Sequence, residues 1–298
     1  MTNAVPATDK AYHRLGWPTV FILMWSSGYV AGKVALPFAG PFALIFMRFS
    51  SAAVVLFIVA LVARAAWPKS PAIYMHLCIV GILVQALQFS GLYVGLSLGV
   101  SAGVSALIVG LMPILTALGA VVLFGERVTK KQVSGLIVGF SGVVVVMLDK
   151  IGLGQFSWEG CLAVVFALFG ISAGAIYQKK FVTHVDLRTG GCIQLAVASV
   201  VVAPLAFFYE HFEVSWNATV LIATGWLSLV NSIGAVSVLF LMMRRGEASK
   251  VASLFYLIPS TTAVMGFLVL GEGLSGLQLS GFILSAVGVY LAAQSSGK

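Results

Sequence analysis

Apolar residues run in blocks along nearly the whole chain, and short polar or charged clusters separate them. The blocks fall near 16–36, 41–63, 73–96, 101–124, 132–148, 157–178, 189–208, 218–242, 249–270 and 275–293. About 20 residues of helix at 1.5 Å rise cross a hydrocarbon core of ~30 Å, so the pattern predicts ten membrane-spanning helices. The connections between blocks are short and leave no room for a soluble domain. The first block is too long for a signal-peptide core and lacks a clear small-residue cleavage site, so it reads as a permanent helix.

The pattern repeats. Leu111 to Val144 is echoed without a gap from Leu257, an offset of 146 residues that pairs Pro113 with Pro259 and Gly125-Glu126 with Gly271-Glu272. The same offset pairs Gly28 with Gly174, Lys33 with Lys179 and Ala52 with Ala198. Residues 1–150 and 151–298 are therefore expected to be two five-helix units. An odd number of crossings turns the second unit upside down relative to the first, a construction used by transporters.

Composition supports a membrane setting. The chain is 60% hydrophobic and 9% charged, with mean hydropathy +1.07, against roughly 25% charged residues in soluble domains. The net charge of +8 suggests nucleic acid until it is mapped. Lys10, Arg14, Arg64, Lys69, Arg127, Lys130, Lys131, Lys179, Lys180, Arg188, Arg244, Arg245, Lys250 and Lys298 all fall at alternate ends of the ten blocks. The opposite ends hold Lys150 with the acids Glu159, Glu210 and Glu213. This segregation follows the positive-inside rule and predicts that both termini are cytoplasmic. The basic balance records topology, and no nucleic-acid partner is expected.

Cys78, Cys161 and Cys192 have no ligand-like spacing, and an odd count of apolar-embedded thiols argues against a disulfide framework. No metal constellation, nucleotide-binding loop or catalytic triad is present. The expectation is a protein that is not an enzyme and needs no cofactor or metal.

Substrate sites of inverted-repeat transporters lie near the membrane midplane, between the repeats. Two polar residues are both central in their spans and related by 146: Gln85 and Asn231. A carboxamide without partners in hydrocarbon costs several kcal/mol, so both should face a cavity or another polar group. Gln88 shares the face of Gln85. Helix-packing hydrogen bonds are the competing role for these amides. Trp25 and Tyr29, four residues apart beside Ser26, and Tyr256 with Ser260 on span nine complete the candidate substrate-binding residues, together with Tyr93 toward the outer part of span three. Trp25 and Tyr256 lie too deep to be interface anchors and could equally be core filler. Gly91, Gly95, Gly99 and Gly103 recur at steps of four and allow close helix packing.

Pro113 and Pro259, mid-span in spans four and nine, should free the carbonyls of Val109 and Phe255 and form a symmetric hinge pair. Two cations, Lys33 and Arg48, lie within spans and toward the outer mouth, where they either attract a substrate carboxylate or hold the first two spans. Arg48 maps onto Gln194, so its charge has no image. No acid sits at the centre of any span, which favours facilitated export or exchange over coupling to a buried protonatable carboxylate.

The segment P-I-L-T-A…L-F-G-E-R-V-T-K-K-Q-V-S-G-L-I-V-G-F-S-G-V at 113–143, its copy at 259–289 and W-S-S-G-Y-V-A-G-K at 25–33 resemble the drug/metabolite transporter superfamily, EamA type. The resemblance implies an all-α bundle in which spans one, three, four, six, eight and nine surround a central cavity. It also implies that spans five and ten lie outside, near a protomer interface, which would make a homodimer. Such proteins export amino acids and other small metabolites from bacteria, and the YddG-like branch, similar in length and helix count, exports aromatic amino acids. The expected function is therefore export of amino acids, hydrophobic or aromatic ones among them, by alternating access in the inner membrane. A multidrug or quaternary-cation exporter and a channel-like or scaffold membrane protein are the alternatives.

Overall fold

Backbone N–H and C=O groups in a bilayer must be satisfied within the protein, and helices do this locally. The computed structural model, which describes residues 7–124, 130–153, 157–182, 185–244 and 254–293, accordingly winds the apolar blocks into helices. Gly125, Glu126, Arg127, Arg245, Lys250 and Lys298 lie outside the described residues. In chain order the helices are α1 (Ala7–Ala35), α2 (Pro41–Val62), α3 (Pro71–Ser97) and α4 (Ala102–Val109, resumed at Met112–Phe124). Next come α5 (Lys130–Gly152), α6 (Trp158–Phe181) and α7 (Leu187–Tyr209). α8 joins Ala218–Gly225, Trp226–Ala235 and Val236–Arg244, and α9 (Ile258–Leu270) and α10 (Gly276–Ala293) follow.

Among the described residues, seven helices, α2 to α8, are long and apolar enough to cross a membrane, and α9 and α10 are shorter apolar helices. Large side chains such as Val54, Ile137, Phe166, Val200 and Leu268 project outward and exposed, as a lipid-facing surface requires. The only pairing of strand type among the described residues is an isolated bridge between Ala39 and Val214.

Local sequence explains the helix starts. Ser101, Ser157, Asp186 and Asn217 each accept a backbone N–H of the first turn, opening α4, α6, α7 and α8; such caps are worth about 1 kcal/mol each. Pro41 and Pro71 stand at the first positions of α2 and α3, where a missing N–H costs nothing.

The interiors of α3 and α8 depart from regular winding. Gly81–Leu87 in α3 and Trp226–Ala235 in α8 open into π-helix. Adding 146 to the first range gives 227–233, inside the second. Gln85 and Asn231 therefore sit in matching widened turns, a form of helix frequent at functional sites.

The prolines also differ from expectation. Instead of kinking continuous helices, Pro113 and Pro259 stand in the first turn of helices that restart. In α4 the chain breaks at Gly110–Leu111, and Leu257 precedes the restart of α9. A proline fits a restart because its nitrogen has no intrahelical acceptor there. The two breaks meet: a Cβ on Gly110 would lie 3.0 Å from Cγ of Pro259.

Packing follows the same twofold plan. α5 lies along α10 with Gly139, Gly142, Gly281 and Gly288 at the crossing, and the Cβ positions of Gly142 and Gly281 point at each other's backbone carbonyls. α2 packs on α7, and α3 packs on α6 through Gly91 and Gly95. Gly28 of α1 admits the Asn231 side chain of α8, while its image Gly174 of α6 admits Leu83 and Val84, next to Gln85 in α3. Each widened turn thus lies against a glycine on the first helix of the other half. Gly99 departs from its series, occupying a turn with φ of 93°.

Candidate functional site

The two widened turns face one cavity of about 440 Å³. α1 contributes Trp25, Gly28 and Tyr29, α2 contributes Arg48, and α3 contributes Gln85, Gln88, Phe89 and Leu92. The second half contributes Ile171 and Gln178 from α6, Gln194 from α7, and Asn231, Ser232 and Ser237 from α8. Three of these pairs are related by 146 residues: Trp25 with Ile171, Arg48 with Gln194, and Gln85 with Asn231. A second cavity of about 40 Å³ shares Trp25, Tyr29, Gln88 and Ile171 with the first. It reaches both helix breaks through Val109, Gly110, Pro113, Phe255 and Ile258.

The ends of the main cavity are unlike. Toward the connection between α6 and α7, its lining continues through Val182, Val185 and Asp186 to Arg188. There the Asp186 carboxylate accepts from Arg188 Nε at 3.0 Å and Nη2 at 2.7 Å. Toward the opposite end the space is filled. Tyr93 is fully buried, with its ring against Gly32, and Leu92, Leu96 and Leu107 are buried around it.

Beyond that plug, Lys33 Nζ donates to Glu272 Oε1 at 2.7 Å and to the Val100 carbonyl at 2.8 Å. The same carboxylate accepts from the Ala102 N–H at 2.9 and 3.1 Å. One ion pair therefore ties α1, the α3–α4 connection and the end of α9. Nearby, Glu210 accepts from the N–H groups of Phe42 and Ala43 at 3.0 and 2.8 Å, placing negative charge at the N-terminus of α2, where the helix dipole favours it. Ser215 N–H also donates to the Phe38 carbonyl at 2.7 Å.

Of the residues singled out from sequence, the structure gathers Trp25, Tyr29, Gln85, Gln88, Asn231 and Arg48 around the main cavity. It places four elsewhere. Ser26 is fully buried and bonded to the Ile258 carbonyl at the α9 break. Tyr93 lies behind Arg48, donating no contact to the cavity wall itself while its hydroxyl accepts from Nη1 at 2.7 Å. Tyr256 turns away to pack on Ile114, Val289 and Tyr290. Ser260 is absent from the lining of either cavity. The residue beside Tyr256, Phe255, takes the inward position and meets Phe21 and Trp25 edge-on at centroid distances of 5.4 Å.

The two cations separate as well. Lys33 is held by Glu272 and is no free mouth charge. Arg48, expected at the outer mouth, is 5% exposed and lines the cavity. Its Nε donates to Ser232 Oγ at 2.9 Å, and its guanidinium carbon lies 4.3 Å from the Phe89 ring centroid. A cation over an aromatic face gains about 0.5–2 kcal/mol, against a burial cost of about 2.5–3.5 kcal/mol at a span centre. Gln194 and Ser232 were missed from sequence. Gln194 carried a signal, since it is the image of Arg48 under the offset.

The comparisons agree with this architecture. A model of the EamA-like transporter family matches residues 17–148 and again 158–294. The chain is 30% identical over 278 residues to "Uncharacterized transporter YvbV" of Bacillus subtilis, covering 91% of this chain and 88% of that protein. It is 25% identical over 282 residues to the "Probable amino-acid metabolite efflux pump" of Escherichia coli, covering 91% of each. A solved crystal structure superposes with a TM-score of 0.66 at 18% identity, over 93% of this chain and 94% of that one, a likeness of fold. The twice-matched family model and the cavity between two repeats make this chain a member of the EamA-like transporter family, a multi-pass membrane transporter.

Proposed function

We propose that the protein exports amino acids and related small metabolites across the bacterial inner membrane by alternating access between two inverted five-helix halves, residues 1–150 and 151–298. The observation that carries this reading is the main cavity, walled by both halves, with the Lys33–Glu272 network beyond one end and its lining continuing to Arg188 at the other. The charge segregation assigns the Arg188 end to the cytoplasm, together with both termini, in a ten-span topology. The conformation described is then inward-facing, and the pair at Lys33 closes the outside.

Gln85, Gln88 and Asn231 would orient the polar groups of the solute, with Trp25, Tyr29, Phe89 and Ile171 against its apolar part. The helix breaks at Pro113 and Pro259 would let α4 and α9 bend. The efflux-pump name of the Escherichia coli relative supports the class of cargo. Among the described residues the only acid on the cavity wall is Asp186, already paired with Arg188, which favours exchange or facilitated export. Wall chemistry with a buried cation and no unpaired acid disfavours a quaternary-cation exporter.

Purified protein in liposomes should show saturable flux of labelled amino acids, with countertransport from the opposite side. No solute-dependent flux across a broad amino-acid and metabolite panel sinks the proposal.

A further inference from the structure

Taking the export reading as its basis, we infer that the Arg48 guanidinium is the docking point for a carboxylate of the transported solute, so that the cargo is a carboxylate-bearing molecule. The first argument is charge. Arg48 lies two turns inside α2 and is almost completely buried. Its hydrogen-bonding partners, the Tyr93 hydroxyl and the Ser232 hydroxyl, are both neutral, as are the Phe49 and Phe89 rings beside it. No described carboxylate lies within 4 Å of it, whereas the cations at the two ends of the cavity, Lys33 and Arg188, each hold an acid.

The second argument is geometry. Nε and Nη1 are engaged, while Nη2 takes no partner among the described residues, and the side chain forms part of the cavity wall. The existing bonds fix the guanidinium plane. A fixed fork of donors suits a carboxylate better than any uncharged group, because charge-assisted bonds are the strong ones. The neighbour of Ser232 in α8 is Asn231. Its Nδ2 is committed to the Met24 carbonyl, and its Oδ1 is buried without a donor. An α-amino acid carries its ammonium and carboxylate on one carbon, so an acceptor for the ammonium must lie close to the carboxylate, and Asn231 precedes Ser232, the residue that holds Arg48. Gln85 and Gln88 line the same cavity.

The test uses liposome countertransport with leucine, phenylalanine, their carboxamides and their decarboxylated amines. The native protein should prefer each acid over its amide by about tenfold or more. Arg48→Gln should remove most of that preference and raise apparent KM for the acids, while Arg48→Lys keeps part of it. Tyr93→Phe, which keeps the charge but removes one orienting bond, should weaken the preference less than Arg48→Gln. The native comparison needs no variant to fold. Saturable flux without acid-over-amide preference, or full preference retained in Arg48→Gln, overturns this inference and leaves the export reading standing. Absence of flux for every solute overturns both.

Discussion

The two ends of the cavity are built from the same kinds of residue and reach opposite results. At the Lys33 end, one carboxylate joins three separate parts of the chain, and a fully buried tyrosine plugs the space beneath. At the Arg188 end, the acid and the cation are two residues apart on the same turn, so their bond closes nothing across the bundle. An ion pair acts as a latch only when its members come from elements that must separate. Sequence distance, 239 residues in one case and 2 in the other, distinguishes a latch from a cap.

The largest effect that tests this contrast is expected from Glu272→Gln. It leaves Lys33 without its counter-charge and should cost about 2 kcal/mol for a part-buried pair. In a background with Cys78, Cys161 and Cys192 replaced, a reporter Val104→Cys should then react several-fold faster with an impermeant maleimide added outside. The double variant Lys33→Gln/Glu272→Gln should recover part of the stability but not the closed state. Unchanged labelling in both would show that the apolar plug alone shuts that end. A smaller effect is expected from Glu210→Gln, which weakens the anionic cap on α2 by about 0.5–1 kcal/mol and should raise labelling only slightly. The smallest belongs to Asp186→Asn at the open end: a drop of a degree or two in melting temperature, with labelling at position 104 unmoved. A rise in labelling there would break the distinction between latch and cap.

Much of this site was legible in the sequence, for identifiable reasons. Gln85 and Asn231 were found because an amide at membrane depth has few places to go, and because the offset relates them. Trp25 followed from depth. Tyr256 misled because side-chain direction was read as though α9 ran unbroken through it. The break before Ile258 resets the phase, so Phe255 faces Trp25 and Tyr256 faces Ile114. Ser26 failed for a different reason: a small hydroxyl in a membrane helix is most easily satisfied by a nearby carbonyl, and here one lies at the α9 break. The burial of Arg48 was not legible, since counting residues from the helix end says nothing of the protein packed around the side chain. The ion pair of Lys33 joins residues far apart in sequence, and no local pattern announces it.

The widened turns of α3 and α8 carry a consequence for how the two repeats are compared. A π-helical turn holds more residues than an α-helical one and is equivalent to an insertion. Another such segment, Leu205–Tyr209 in α7, has no counterpart, since α2 is α-helical through Val62 at the matching positions. Yet the same 146 residues separate Gly28 from Gly174 before the widened turns and Pro113 from Pro259 after them. The offset therefore holds both where a π-helical segment has a counterpart, as at Gln85 and Asn231, and where it has none, as at Leu205–Tyr209. The winding that presents Gln85 and Asn231 to the cavity follows the local sequence and leaves the length of each repeat unchanged.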